Sequence, residues 1–376
     1  MGKRLGRYVY IDNLRLFIII LVVIQHFGVT YSGFGSWYYK EGGNLDIFSN
    51  IVFGYSMSYT QGFFMGILFL ISGFFVPGSY DKKGFKDFMK GRFVRLGIPT
   101  LIFMLVVEPL TNYFLLGFKW SEPKPAFLMY YWRYLKSFEF IGHSGPLWFA
   151  FALLVFSGLY ALIRVINGTA VQKTHQKEIR ASNIFFLILL ISMGAFLIRL
   201  VQPIGTNILN MQLCYFSQYI ILFITGIYAY RNDWLTSIEK RAGLKWIMAT
   251  LSGGFIPWMI IMVAGGVDIY GGGLNWQSAS FALWESCICV CTAVGLFAFF
   301  SQKLNYQNTL TEVLSDNSFT VYVFHTPIIV GLSLILKDIV LPPLAKCLLL
   351  CMIGIPVCFS AAHFVISRIP VLNRVL

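Results

Sequence analysis

Ten apolar stretches of about twenty residues, each long enough to cross a bilayer as a helix, divide the chain. They lie at 11–31, 51–77, 96–117, 146–164, 184–201, 211–230, 246–265, 278–300, 316–336 and 345–366. Backbone polar groups in hydrocarbon must bond within their own segment. The expected fold is therefore an all-α integral membrane protein, a bundle of about ten transmembrane helices forming one domain over residues 1–376. Only 12% of the residues are charged and 57% are hydrophobic, about half the charge of an average soluble protein. The net charge of +13 would suggest nucleic acid in a soluble chain. Here the cations fall in short connections between spans, as membrane topology demands, and nucleic-acid binding is not expected.

Alternate connections carry most of those cations. They are Lys3, Arg4 and Arg7; Lys82, Lys83, Lys86, Lys90, Arg92 and Arg95; Arg164, Lys173, Lys177 and Arg180; Arg231, Lys240, Arg241 and Lys245; Lys303; and Arg368 and Arg374. The positive-inside rule makes these connections and both termini cytoplasmic. The first span lacks a small-x-small cleavage site and is expected to stay as an anchor. All seven cysteines lie within or beside apolar stretches, which argues against a disulfide framework, and no zinc-type pair occurs. No metal site is expected.

The first span also carries Asp12, Arg15, Gln25 and His26. Ionisable groups in such a place are costly and usually face a protein interior or a watery cavity. Arg15 and His26 are eleven residues apart, roughly three helical turns and about 16 Å along one face, and Asp12 joins the same stripe. Two readings stay open: Asp12 and Arg15 as an entrance ion pair with His26 as a core imidazole, or a cation and a deep imidazole gripping the two ends of one long substrate. The loop with Lys90, Arg92 and Arg95 either fixes topology and meets lipid headgroups or holds a polyphosphorylated ligand. Glu108, before Pro109, should lie near the depth of His26 and needs a partner, for which His26 is a candidate. His325 is a second deep imidazole, and Arg199 and Glu285 read as members of ion pairs. Gly62-x-x-x-Gly66 predicts close approach of a neighbouring helix. The aromatic residues of the outer loops 32–50 and 118–145 suit an interfacial belt more than carbohydrate stacking.

Several pieces together resemble the acyltransferase 3 family of bacterial multi-pass membrane proteins. They are Tyr10-Ile11-Asp12-Asn13-Leu14-Arg15 with ten residues before His26, Phe69 to Phe74, the basic Arg92 to Pro99 stretch, Gly145-Pro146-Leu147-Trp148-Phe149, and Ser318, Tyr322 and His325 in a Ser-x-x-x-Tyr-x-x-His pattern. Within the family the early part is most similar to the glucan biosynthesis branch, although Met65-Gly66-Ile67 departs from the pattern of other branches.

The resemblance implies a membrane O-acyltransferase in the bacterial plasma (inner) membrane. It would move an acetyl or succinyl type of group from cytoplasmic acyl-CoA to a hydroxyl of a cell-envelope glycan or polysaccharide. Acyl-CoA would be a substrate and no cofactor would be resident; lipid surrounds the protein, and a homo-oligomer is left open. Asp12, Arg15, Lys90, Arg92 and Arg95 would bind the donor, with Asp12 orienting Arg15. His26 would act as general base or take the acyl group itself, with Glu108 or His325 setting its tautomer or carrying a second proton. The alternative is a proton-coupled transporter of an anionic solute, relaying through His26, His325, Glu108 and Glu285.

Overall fold

The computed structural model describes residues 8–41, 43–117, 124–168, 180–234 and 243–375. Lys3, Arg4, Arg7, Lys119, Lys173, Lys177, Lys240 and Arg241 lie outside them. Regular structure among the described residues is helical, with no strand. The helices are α1 (Val9–Ser32), α2 (Ile47–Leu115), α3 (Phe127–Lys136), α4 (Trp148–Asn167), α5 (Ala181–Arg199), α6 (Phe216–Arg231), α7 (Gly243–Val263), α8 (Trp276–Lys303), α9 (Thr309–Ile335) and α10 (Pro343–Phe364).

Nine of these runs are long and apolar enough to cross a membrane; the short, amphipathic α3 is not. The ten expected stretches become nine because 51–77 and 96–117 fall within the single run α2, whose 69 residues would reach roughly 100 Å if straight. It breaks at Gly84, where φ is 70° and ψ is 176°, a conformation that glycine adopts without a Cβ penalty.

The bundle has two chemically distinct ends. At one, Asn13 Nδ2 at the entrance of α1 donates to the carbonyls of Leu304 and Tyr306 at 2.7 and 2.9 Å. The ring of Tyr8 packs edge-on against Phe74 and Phe75, and Arg164 pairs with Asp81 at 2.9 Å near the Gly84 break. Asn317 meets His363 at 3.3 Å at this end, so α1 enters and α10 leaves on the same side. The other end gathers the loops 33–46, 142–148 and 203–212.

Close helix contact rather than water exclusion holds such a bundle in lipid. A Cβ at Gly73 of α2 would lie 2.0 Å from the carbonyl oxygen of Phe223, and one at Gly226 of α6 would lie 2.1 Å from that of Leu70. The predicted small-residue spacing is part of this seam: Gly66 abuts Gln218 and Leu222, and Gln218 Nε2 donates to the Gly62 carbonyl at 3.0 Å. Arg199 and Glu285 pair with each other at 2.5 Å and are both buried, joining α5 to α8. All seven cysteines are free thiols.

Candidate active site

Two helices bring the imidazoles together. His325 on α9 is fully buried, and its Nδ1 lies 2.8 Å from the carbonyl oxygen of Tyr322 and 3.2 Å from that of Val321. A carbonyl only accepts, so Nδ1 of His325 carries the hydrogen, and Nε2 of the neutral ring is an acceptor. That nitrogen faces Nδ1 of His26 on α1 at 3.1 Å. His26 must therefore donate through Nδ1, which leaves its own Nε2 as the basic nitrogen of the pair. The Trp37 indole stacks on the His26 ring with centroids 4.0 Å apart, fixing the ring plane and offering a π face to a cationic imidazolium.

Trp37 belongs to the loop after α1, which is tied down on both sides. Glu41 N–H donates to the Thr30 carbonyl at 2.9 Å, and the Glu41 carboxylate accepts from the buried Lys346 of α10. The next residue of the loop, Tyr38, donates to Glu108 Oε2 at 2.5 Å. Burial, with the Glu108 carboxylate adding to it, holds the Tyr38 phenol well above its usual range, so it stays a donor.

Glu108 is presented by a local departure from α geometry. Residues 103–107 are π-helical, and the Glu108 N–H bonds to the Phe103 carbonyl instead of that of Met104. Pro109, having no N–H, also leaves Leu105 without its helical donor. Two tyrosines of α3 fill these vacancies: Tyr134 donates to Met104 O at 2.8 Å and Tyr131 to Leu105 O at 3.0 Å. These members of the expected aromatic belt thus dock α3 on the distorted helix. π turns recur at functional sites. The second oxygen of Glu108 accepts from Asn112 at 3.0 Å.

The Gly145-Pro146 turn closes the site. Tyr322 donates its hydroxyl to the Pro146 carbonyl, and Asn210 Nδ2 donates to Gly145 O at 2.7 Å. Gly145 has φ +49°, and a Cβ there would lie 2.4 Å from Phe103 and 2.8 Å from the Tyr38 hydroxyl. Gly145→Ala is expected to cost about 1–3 kcal/mol by overpacking, read as a lower thermal midpoint in detergent. An unchanged midpoint would show that the turn gives way freely.

Two cavities meet at His26, and both are lined by the loops gathered at the end opposite Arg15. The narrower, about 750 Å³, is lined by Trp37, Tyr38, Glu108, Asn112, His143 and Asn210 among others. The wider, about 1320 Å³, runs between α1, α2, α7 and α8 and also has Tyr322 in its wall. His143 is stacked on Tyr134.

The residues expected at the donor end assemble separately. Arg15 pairs with Asp12 at 3.3 Å, remains 39% exposed and lies over the Phe75 ring. Arg92 rests on the Phe88 ring and is within electrostatic range of Arg15 and Arg95. Lys90 is exposed on the same stretch. None of these four cations lines either cavity. The candidate pairing of Glu108 with His26 is corrected: Tyr38 and Asn112 hold Glu108, and His325 holds His26. The four groups of the transporter relay separate into three clusters, since Glu285 is engaged by Arg199. Sequence reading missed Trp37, Tyr38, Asn112 and Asn210. For Tyr131, which also went unread, the available signal was Pro109, which announces a carbonyl in need of a donor.

A family model described as an acyltransferase domain matches residues 8–363. The glucans biosynthesis protein C of Escherichia coli strain K12 is 22% identical over 386 residues, covering 98% of this chain and 93% of the relative. The protein of the same name from Shigella dysenteriae serotype 1 is also 22% identical, with the same coverage. No solved structure matches.

Proposed function

The chain belongs to the acyltransferase 3 family, and from that premise we propose that it moves a short acyl group from acyl-CoA to a hydroxyl of a cell-envelope glycan. The observation that carries this reading is the imidazole pair. It leaves Nε2 of His26 basic where two cavities meet, about three helical turns from a cluster of arginines. Those arginines suit the phosphates of coenzyme A, because guanidinium binds phosphate through paired, charge-assisted hydrogen bonds. The pantetheine arm would run along α1 to His26. The cation-rich end would face the cytoplasm, with both termini there, and the cavities would open outside the bacterial plasma membrane. The glycan acceptor is taken from the relatives, which are glucans biosynthesis proteins.

In the transfer step Nε2 of His26 takes the proton of the acceptor hydroxyl. The oxygen then attacks the thioester carbonyl, the C–S bond breaks, and the leaving thiolate recovers the proton from the imidazolium. His325 accepts from Nδ1–H throughout and holds the tautomer, while Trp37 faces the transient cation. Glu108, with Tyr38 and Asn112, supplies a second polar wall on the acceptor side.

Arg92→Gln with Arg95→Gln tests the donor end. Losing charge-assisted bonds worth about 1.5–3 kcal/mol should raise the donor KM by one to two decades in steady-state assays, with kcat at saturating donor little changed. Unchanged donor KM in the double variant would return these arginines to a role in topology alone.

A further inference from the structure

We propose that Lys346 is a positioning residue for transfer. Through its ion pair with Glu41 it moors the loop after α1 so that the Trp37 indole stays on the His26 ring, a role that rests on the transfer reading above. Lys346 stands in the first turn of α10 and is 1% exposed. A cation at a helix N-terminus opposes the helix dipole, and a buried ammonium is costly unless paired, so neither helix formation nor burial accounts for a lysine here. Its partners do. Nζ donates to the Glu41 carboxylate and to the carbonyl of Lys337 at 3.0 Å, and it lies over the Tyr31 ring. Apolar side chains of similar volume in place of a buried ion pair are often neutral or stabilising. What the pair supplies beyond packing is direction: it fixes where Glu41 sits relative to α10.

The loop transmits that placement as a unit. Gly33 and Gly35 have φ of 74° and 72°, a region that glycine enters without a Cβ penalty, and they fold the chain back so that Lys40 Nζ donates to both of their carbonyls. Residues 33–40 are thereby closed on themselves. Glu41 is where this closed segment is fastened: its N–H donates to Thr30 O in the last turn of α1, and its carboxylate reaches α10. Trp37 lies inside the segment. Its indole N–H has no hydrogen-bond partner among the described residues, so ring contacts orient it, with His26 at 4.0 Å and the His325 ring 6.4 Å away and inclined by 13°. The bond from Tyr38 to Glu108 holds the neighbouring residue, but the Tyr38 ring stands at 90° to the indole and does not fix its plane. A stack without a hydrogen bond keeps its register only while the backbone beneath it is held. Loss of the mooring therefore reaches His26 through Trp37 and leaves the arginines at the other end untouched.

The experiment uses the full chain in lipid nanodiscs with acetyl-CoA and a glucose tetrasaccharide. Fluorotryptophan is incorporated for fluorine NMR, and the Trp37 resonance is assigned by its disappearance in Trp37→Phe. Lys346→Met is expected to lower kcat by about ten-fold or more, since small misplacements at a reacting centre are costly, with donor KM unchanged. The Trp37 resonance should shift or broaden while the other tryptophan resonances hold. Because this variant leaves the Glu41 carboxylate buried and unpaired, Glu41→Leu with Lys346→Met separates mooring from stability. The thermal midpoint of this apolar pair should equal or exceed that of wild type, while kcat, measured well below every midpoint, stays about ten-fold down and the Trp37 resonance stays displaced. Wild-type kcat in the apolar double variant, or a Trp37 resonance unmoved in it, overturns the assignment while thioester cleavage by wild type leaves the transfer reading intact. Absence of thioester cleavage by wild type overturns the transfer reading and the role of Lys346 with it.

Discussion

His26→Ala is expected to lower acyl transfer by at least about two decades, the usual scale for loss of a general base. Protein level and membrane insertion should stay near wild type. The loss has a specific origin. His325 has its Nδ1 hydrogen committed to backbone carbonyls and its Nε2 lone pair turned to His26. It cannot supply a base to the cavities from its own position. Glu108 is held by Tyr38 and Asn112, so it is no substitute at the shared wall. Initial rates of product formation in nanodiscs, normalised to protein measured by quantitative blotting, check this. Full activity in His26→Ala would make the first span structural.

His325→Leu should have the next largest effect. Without an acceptor for its Nδ1–H, His26 is free to take the other tautomer, and the basic nitrogen no longer points to the cavities. Partners that orient metal-bound histidines are worth about 10–100-fold; a loss on that scale is expected here, falling on kcat with donor KM little changed. His325→Gln separates orientation from packing, because its amide oxygen can accept from His26 Nδ1–H. It should recover part of the lost rate. Equal loss in the Leu and Gln variants would mean that His325 acts only by filling space.

Much of the fold was legible because bilayer thickness sets a length that apolar stretches must meet. The first span and the deep positions of His26 and His325 follow from that constraint, and the small-residue seam at Gly62 and Gly66 follows from the need for close helix contact in lipid. The continuity of α2 was not legible, since a single glycine, Gly84, makes the turn that the sequence pattern assigns to a loop. At the site, His26, Glu108 and His325 on helices were found, whereas Asn112 and the loop residues Trp37, Tyr38 and Asn210 were not. Helical spacing places His26 relative to Arg15, but nothing in the order Trp37-Tyr38 says that one ring stacks on His26 while the other bonds Glu108. The pairing of His26 with His325 spans nearly the whole chain, and only tertiary structure decides between His325 and Glu108 as its partner. Arg199 and Glu285 show the same limit in reverse: two isolated charges in separate spans turn out to satisfy each other.

The central claim is that the donor binds at the arginine-rich end while the acceptor enters at the opposite end. It is tested most directly in sealed vesicles. Protein lacking its native cysteines is reconstituted with one orientation, verified by labelling Lys83→Cys, and radiolabelled acetyl-CoA is added on the side carrying residue 83, with a glucose tetrasaccharide confined to the other side. With acetyl-CoA or, in a parallel run, succinyl-CoA as donor, the account predicts label on the confined tetrasaccharide and free coenzyme A on the donor side, with neither formed when the two substrates are exchanged across the membrane. Label on the sugar only when both substrates share one side would contradict it.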